Sequence, residues 1–186
     1  MNNSPIGVYD SGFGGLSVWR EIHRRLPEES LLYLGDGKNC PYGGRSREEI
    51  TAFAREAVER LIGEGVKMVV VGCNTATTAA VDALRAEWPD IPIVGLEPAV
   101  KPACLSSRTR RIAVLATAHS LQSDMFLNTA RRYAADVEVI KVEGRGFVEL
   151  VEASEEDSPK AERLVREVVE PLLDKGIDRI VLGCTH

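Results

Sequence analysis

Short apolar runs alternate with longer segments whose apolar residues recur every three or four positions, the signature of strands alternating with helices. The pattern predicts strands at residues 6–9, 31–34, 67–71, 91–96, 111–116, 137–142 and 179–182. Helices are predicted at 16–26, 46–62, 74–88, 99–105, 120–134 and 158–175. The helix after Ser46 is the clearest. Ser46 with Glu49 forms a capping box, Ile50, Phe53, Ala54, Ala57, Val58, Leu61 and Ile62 share one face, and Gly63 and Gly65 stop the helix. The run at 67–71 is β-branched with almost no polar alternation, as in a parallel strand covered on both faces. The last helix opens at Ser158-Pro159, carries Ala161, Leu164, Val165, Val168, Val169, Leu172 and Leu173 on one face, and is expected to kink at Pro171 before Gly176 ends it.

Strand–helix alternation of this kind predicts an α/β fold with parallel sheets. Glu97-Pro98 interrupts the pattern, which suggests two similar parallel-sheet lobes, residues 1–97 and 98–186, facing a central cleft. An internal repeat supports the two-lobe reading. Gly65 precedes Cys73 by eight residues and Gly176 precedes Cys184 by eight, so that GVKMVVVGCNT and GIDRIVLGCTH align without a gap. The segment from Ile6 to Ser11 likewise resembles that from Ile112 to Thr117, each a strand ending in a hydroxyl residue.

Composition narrows the class. A net charge of −5 and a pI near 5.3 argue against nucleic acid as a partner. The basic clusters at 108–111 and 131–132 read as solvated surface. No apolar stretch approaches the roughly 20 residues of a membrane helix. The first residues, Met1 to Pro5, have neither the basic head nor the apolar run of a leader, so a cytoplasmic protein is expected. The four cysteines, Cys40, Cys73, Cys104 and Cys184, lack any C-x-x-C pairing and do not form a disulfide framework.

The repeat puts Cys73 and Cys184 in matched contexts, each after a glycine at a strand end where α/β sheets bind ligands. Inverting a carbon stereocentre by proton transfer needs a base on one face and an acid on the other, and two similar thiols can exchange those roles. A helix starting after Cys73 would favour its thiolate, which matters because a free thiol of pKa about 8.5 is only a few per cent ionised at neutral pH. Other readings of the same residues stay open: small core cysteines, a zinc site from Cys73, Cys184 and His186 without any recognised ligand spacing, a thiol redox protein, or a non-catalytic module binding an acidic amino acid. Cys40 and Cys104 have no such context and read as structural. The loop from Asp10 to Gly15 leaves strand one with backbone N–H groups suited to an anion, and with no basic side chain a carboxylate suits it better than a phosphate. It matches neither the dinucleotide fingerprint nor the P-loop.

These residues are also where the sequence resembles the glutamate racemases of bacterial cell-wall synthesis. The matching motifs are Asp10-Ser11-Gly12 with Gly14-Gly15, Asp36 with Pro41-Tyr42-Gly43, Gly72-Cys73-Asn74-Thr75 with Thr77, and Gly183-Cys184-Thr185-His186, in order and across the whole chain. The resemblance implies a two-base isomerase with no metal or cofactor that supplies D-glutamate for peptidoglycan. In it the thiol matching Cys73 takes the proton from D-glutamate and that matching Cys184 from L-glutamate. Asp10 and His186 match residues that assist the neighbouring thiols. Ser11, Tyr42, Gly43, Asn74, Thr75, Thr117 and Thr185 match positions that hold the amino acid, and Glu152 matches a glutamate near the second thiol. An aspartate or other amino-acid racemase of the same superfamily is the alternative. The expected partners are glutamate as small-molecule substrate and a second copy in a homodimer. Ala116 replaces a usual glycine, and Ser120 stands where threonine is common. Family members continue past the second cysteine motif with a segment that returns to complete the first lobe. By that measure the second lobe and return segment are truncated at His186, and a product ending there is expected to be inactive.

Overall fold

The computed structural model describes residues 3–186; the leader reading extends over Met1 and Asn2, which lie outside the described residues. The chain divides between Leu96 and Glu97 into two compact units, and Thr185 and His186 belong with the first. The sequence division put those two residues in the second lobe. They side with the first because the Thr185 hydroxyl and the His186 ring bond to its Asp10 and Gly14.

In the first unit, β1 (Ile6–Asp10), β2 (Leu31–Gly35), β3 (Met68–Val71) and β4 (Ile93–Gly95) form one parallel sheet ordered β2-β1-β3-β4. Strand β1 is buried at all five residues, which is why its sequence shows no polar alternation. One face of the sheet, Ile6, Val8 and Val70, packs with Val18, Trp19 and Ile22 of α1 (Leu16–Arg25). On the other face Gly7 leaves room for Leu61 and Val66, whose methyl groups would stand 3.1–3.3 Å from a Cβ there. Helix α2 (Arg47–Gly63) begins with the expected capping box, Ser46 Oγ accepting from Glu49 N–H and Glu49 accepting from Ser46 N–H. Helix α3 (Asn74–Glu87) follows β3 directly.

The second unit repeats the arrangement with fewer strands. Strands β5 (Arg111–Ala116), β6 (Glu138–Glu143) and β7 (Arg179–Gly183) make a parallel sheet ordered β6-β5-β7. One face buries Ile112, Val114 and Val181 against Val100, Ala103 and Cys104 of α4 (Val100–Ser106), Leu121 of α5 (Ala118–Gln122) and Phe126 of α6 (Asp124–Tyr133). Each large apolar side chain so covered contributes about 1.5–3 kcal/mol. The remaining helices are α7 (Phe147–Glu152) and α8 (Pro159–Leu173).

Two local readings change. The single helix predicted at 120–134 is two, because Ser123 leaves the helical conformation and its hydroxyl caps α6 by accepting from Phe126 N–H. The periodicity runs through this break because both pieces bury residues in the same core, Leu121 and Phe126. Helix α7 was not anticipated: six residues are too few for a periodic signal, and it starts from Gly146 at φ 85°. Helix α8 continues through Pro171 to Leu173, with the proline in its final turn. Among the described residues no helix is long and apolar enough to cross a membrane.

Candidate active site

Strand register places the two thiols in equivalent positions. In the first sheet Tyr9 pairs with Val71, so two residues on, Ser11 and Cys73 leave neighbouring strands at the same level. In the second, Ala116 pairs with Gly183, so Thr117 and Cys184 leave theirs in the same way. Each unit thus sets one hydroxyl beside one thiol at the C-terminal edge of a parallel sheet. This juxtaposition is what the sequence repeat encodes.

Around the first thiol the contacts are direct. Cys73 is buried and its Sγ donates to Ser11 Oγ at 3.4 Å. The sulfur also occupies the N-cap of α3 and accepts from Ala76 N–H at 3.4 Å. An N–H donor and the positive end of a helix dipole both favour negative charge on that sulfur. Asn74, Thr75 and Thr77 are buried in the first turn behind it. Asn74 Nδ2 donates to Leu96 O at 3.4 Å, and Thr77 accepts from Leu96 N–H at 3.2 Å.

The loop after β1 differs from its sequence reading. It was expected to offer unpaired N–H groups to an external anion. Instead it is organised around an anion of its own, the Asp10 carboxylate, which is completely buried. Asp10 Oδ1 accepts from Gly12 N–H at 3.0 Å, and Gly15 N–H bonds the same carboxylate. Burial raises the Asp10 carboxyl above its usual range; the Gly12 bond, the His186 ring, the Thr185 hydroxyl and the Gly15 bond oppose that rise. Gly15 is glycine because a Cβ there would collide with the Asp10 side chain.

Thr185 and His186 complete a chain to Asp10. Gly14 N–H donates to His186 Nε2 at 3.2 Å. An amide can only donate, so Nε2 is the acceptor in this contact. His186 Nδ1 lies 3.1 Å from Thr185 Oγ1, and the Thr185 hydroxyl donates to Asp10 Oδ2 at 3.1 Å. Cys40, read from sequence as structural, has its sulfur within 4.8 Å of a His186 ring nitrogen.

The loop carrying Tyr42 and Gly43 is tied back in a different way. Tyr42 is buried, and its hydroxyl donates to Asp36 Oδ2 at 2.6 Å and lies 2.7 Å from the Tyr9 hydroxyl. Tyr9 was missed from sequence, where a tyrosine inside an apolar strand looks like any other core residue. In the second unit, Thr117 caps α5 by accepting from Ser120 N–H at 3.3 Å and donates to Ser120 Oγ at 3.1 Å. A serine at 120 therefore serves the hydroxyl pairing. Glu152 is half-buried at the end of α7, and Cys184 is half-buried just past β7.

The model of the Asp/Glu/Hydantoin racemase family matches residues 6–186. The chain belongs to that family. Among curated relatives of this Asp/Glu racemase, the glutamate racemase of Roseiflexus sp. (strain RS-1) is 49% identical over 182 residues, covering 98% of this chain and 67% of that one. Of solved structures, Escherichia coli glutamate racemase in complex with L-glutamate and an activator superposes with a TM-score of 0.89 at 32% identity, covering 98% of this chain and 70% of that one. Glutamate racemase from Francisella tularensis in complex with D-glutamate gives 0.83 at 31% identity, covering 100% and 70%. The family's parallel α/β architecture is thus the one the strand pairing of this racemase chain describes.

Proposed function

We propose that this chain racemises glutamate without a cofactor, with Cys73 and Cys184 as the two acid–base groups. The observation that carries the reading is the matched register of a hydroxyl and a thiol in the two sheets, Ser11 with Cys73 and Thr117 with Cys184, in a member of this family. In the L-to-D direction the Cys184 thiolate removes the α-proton, leaving the electron pair delocalised into the α-carboxylate. The Cys73 thiol then delivers its proton to the opposite face, and the reverse reaction exchanges the roles. Both thiols need support. The N-terminus of α3 and Ala76 N–H steady negative charge on Cys73, and Ser11 Oγ accepts its proton in the thiol form. Asp10 and His186 assist the transfers, and Ser11, Gly43, Asn74, Thr75, Thr117 and Thr185 hold the amino acid, together with the main chain of Tyr42. The protein works in the cytoplasm as a homodimer and supplies D-glutamate for peptidoglycan.

The test is isotope exchange. The intact protein is incubated with L-glutamate in D₂O, and the α-proton signal and optical rotation are followed. Loss of the α-proton with growth of D-glutamate is expected. Binding without exchange would make the chain a module for acidic amino acids, and faster exchange of aspartate would move the substrate assignment.

A further inference from the structure

Two buried phenols and a carboxylate form a chain on the first unit that the proton-transfer chemistry does not use. Its direction follows from counting hydrogens. Asp36 Oδ2 is 2.6 Å from the Tyr42 hydroxyl, and a carboxylate oxygen accepts, so Tyr42 donates to Asp36. The two phenol oxygens are 2.7 Å apart, and the one hydrogen left to lie between them is that of Tyr9. The order is therefore Tyr9 O–H to Tyr42 O–H to Asp36. Asp36 also accepts from Asn39 Nδ2 at 2.9 and 3.0 Å, and its own N–H donates to Asp10 O at 2.9 Å. One end of the chain is thus rooted in β1, one residue before Asp10, and the other organises the loop that presents Gly43. Tyr9 is fully buried, Tyr42 is 2% exposed, and the Tyr42 ring packs on Phe53 of α2 with centroids 5.6 Å apart. Burial keeps both phenols un-ionised, and the charge of Cys73 is the second influence raising Tyr9, which places Tyr9 within electrostatic reach of the first thiol.

We propose that Tyr9 and Asp36 are positioning residues for the Cys73 side of the site, joined through the Tyr42 hydroxyl, so that Tyr42 meets substrate with its main chain and not with its phenol. The kinetic half of this proposal rests on the glutamate racemase reading; the structural half does not. The hydroxyl of Tyr42 has its donor committed to Asp36 and one lone pair to Tyr9, in a side chain closed to solvent. A ligand hydroxyl would need the opposite.

A double-mutant cycle in the intact protein tests this, with Tyr42→Phe, Asp36→Ala, the double variant, Tyr9→Phe and Asp36→Asn. Breaking the chain at Tyr42 or at Asp36 is expected to raise KM for glutamate by about tenfold with kcat little changed, and the double variant to match the singles. A rise of about a hundredfold in the double variant would mean the phenol contributes separately to substrate, and the proposal fails. Asp36→Asn keeps an acceptor for Tyr42 and is expected within about threefold of the parent; a loss equal to Asp36→Ala overturns the acceptor role. Tyr9→Phe is expected to raise KM by a few fold, and an unchanged value removes Tyr9 from the chain. Amide hydrogen exchange at Asp36, Asn39 and Arg45 is read in parallel without substrate. Acceleration in the double variant equal to that in Asp36→Ala alone supports the chain; a larger acceleration in the double variant, or none in any variant, refutes it even if the parent protein proves not to turn over glutamate.

Discussion

Replacing Gly14 by alanine tests whether the Thr185–His186 pair is part of the working site. An ideal Cβ on Gly14 would stand 2.6 Å from His186 Nδ1 and 2.8 Å from both His186 Cε1 and Thr185 Oγ1. Comfortable contacts begin near about 3.5 Å, so the methyl overlaps three atoms by roughly 0.7–0.9 Å. Gly14 is not among the positive-φ residues, so alanine suits the backbone and the whole penalty comes from these contacts. The pair must move aside, and the Gly14-to-His186 and Thr185-to-Asp10 bonds break together. At about 0.5–1.5 kcal/mol each, the stability loss is about 1–3 kcal/mol, since moving two residues relieves the overlap itself. The loss of kcat/KM should be larger, about a hundredfold or more, because Asp10, Thr185 and His186 are displaced from the transition state as a unit. Urea denaturation measures the first quantity and racemisation of both enantiomers the second. Gly63→Ala is the control, because a Cβ there meets nothing within 4 Å among the described residues. Gly14→Ala turning over within threefold of the parent, with normal stability, would refute the coupling of Gly14 to the site.

Cys73→Ser and Cys184→Ser should each abolish most racemisation while circular dichroism stays that of the parent. Cys104→Ser, in the second unit's core, should leave turnover near normal; equal loss from all three would mean the cysteines act through packing. Burial raises the Cys104 thiol, so iodoacetamide at neutral pH should label it last among the four cysteines. Ser46→Ala removes the capping box of α2 and should lower stability by about 1 kcal/mol, read as a Tm shift with unchanged kinetics. Asp178 is held down to about 2 by the Ser107 hydroxyl and the Arg108 and Thr109 N–H groups. Its folded value lies below its unfolded one, so its contribution is complete above pH 4 and is lost as pH falls toward 2. Asp178→Asn should flatten that part of the acid limb in a stability-against-pH series, and an unchanged limb would show that the carboxylate does not anchor the loop.

How much could be read in advance divides by the range of the interactions. The capping box at Ser46 and Glu49, the buried run that became β3, and the Gly-to-Cys repeat act within a turn or along one strand, so residue order alone carries them. The same local logic misjudged 120–134, where apolar periodicity runs across the Ser123 break. Of the proposed site, Cys73 and Cys184 stood out as candidates because the repeat marks them. Tyr9 was not, since its partner Tyr42 is 33 residues away and nothing in an apolar strand announces a hydroxyl's direction.

The sequence by itself determined the parallel α/β class, the division near Glu97 and the racemase resemblance, and it singled out two thiols as candidates, because periodicity, caps and motifs are properties of neighbouring residues. Only tertiary structure decided that Ser11 stands beside Cys73, that the Asp10 loop is filled by its own carboxylate, and that the Tyr42 hydroxyl faces Asp36. It also decided that Thr185 bonds Asp10 across 175 residues. Those facts depend on strand register and on which buried donor finds which acceptor. Both are settled only when distant segments exclude water together and each polar group must take the partner within reach.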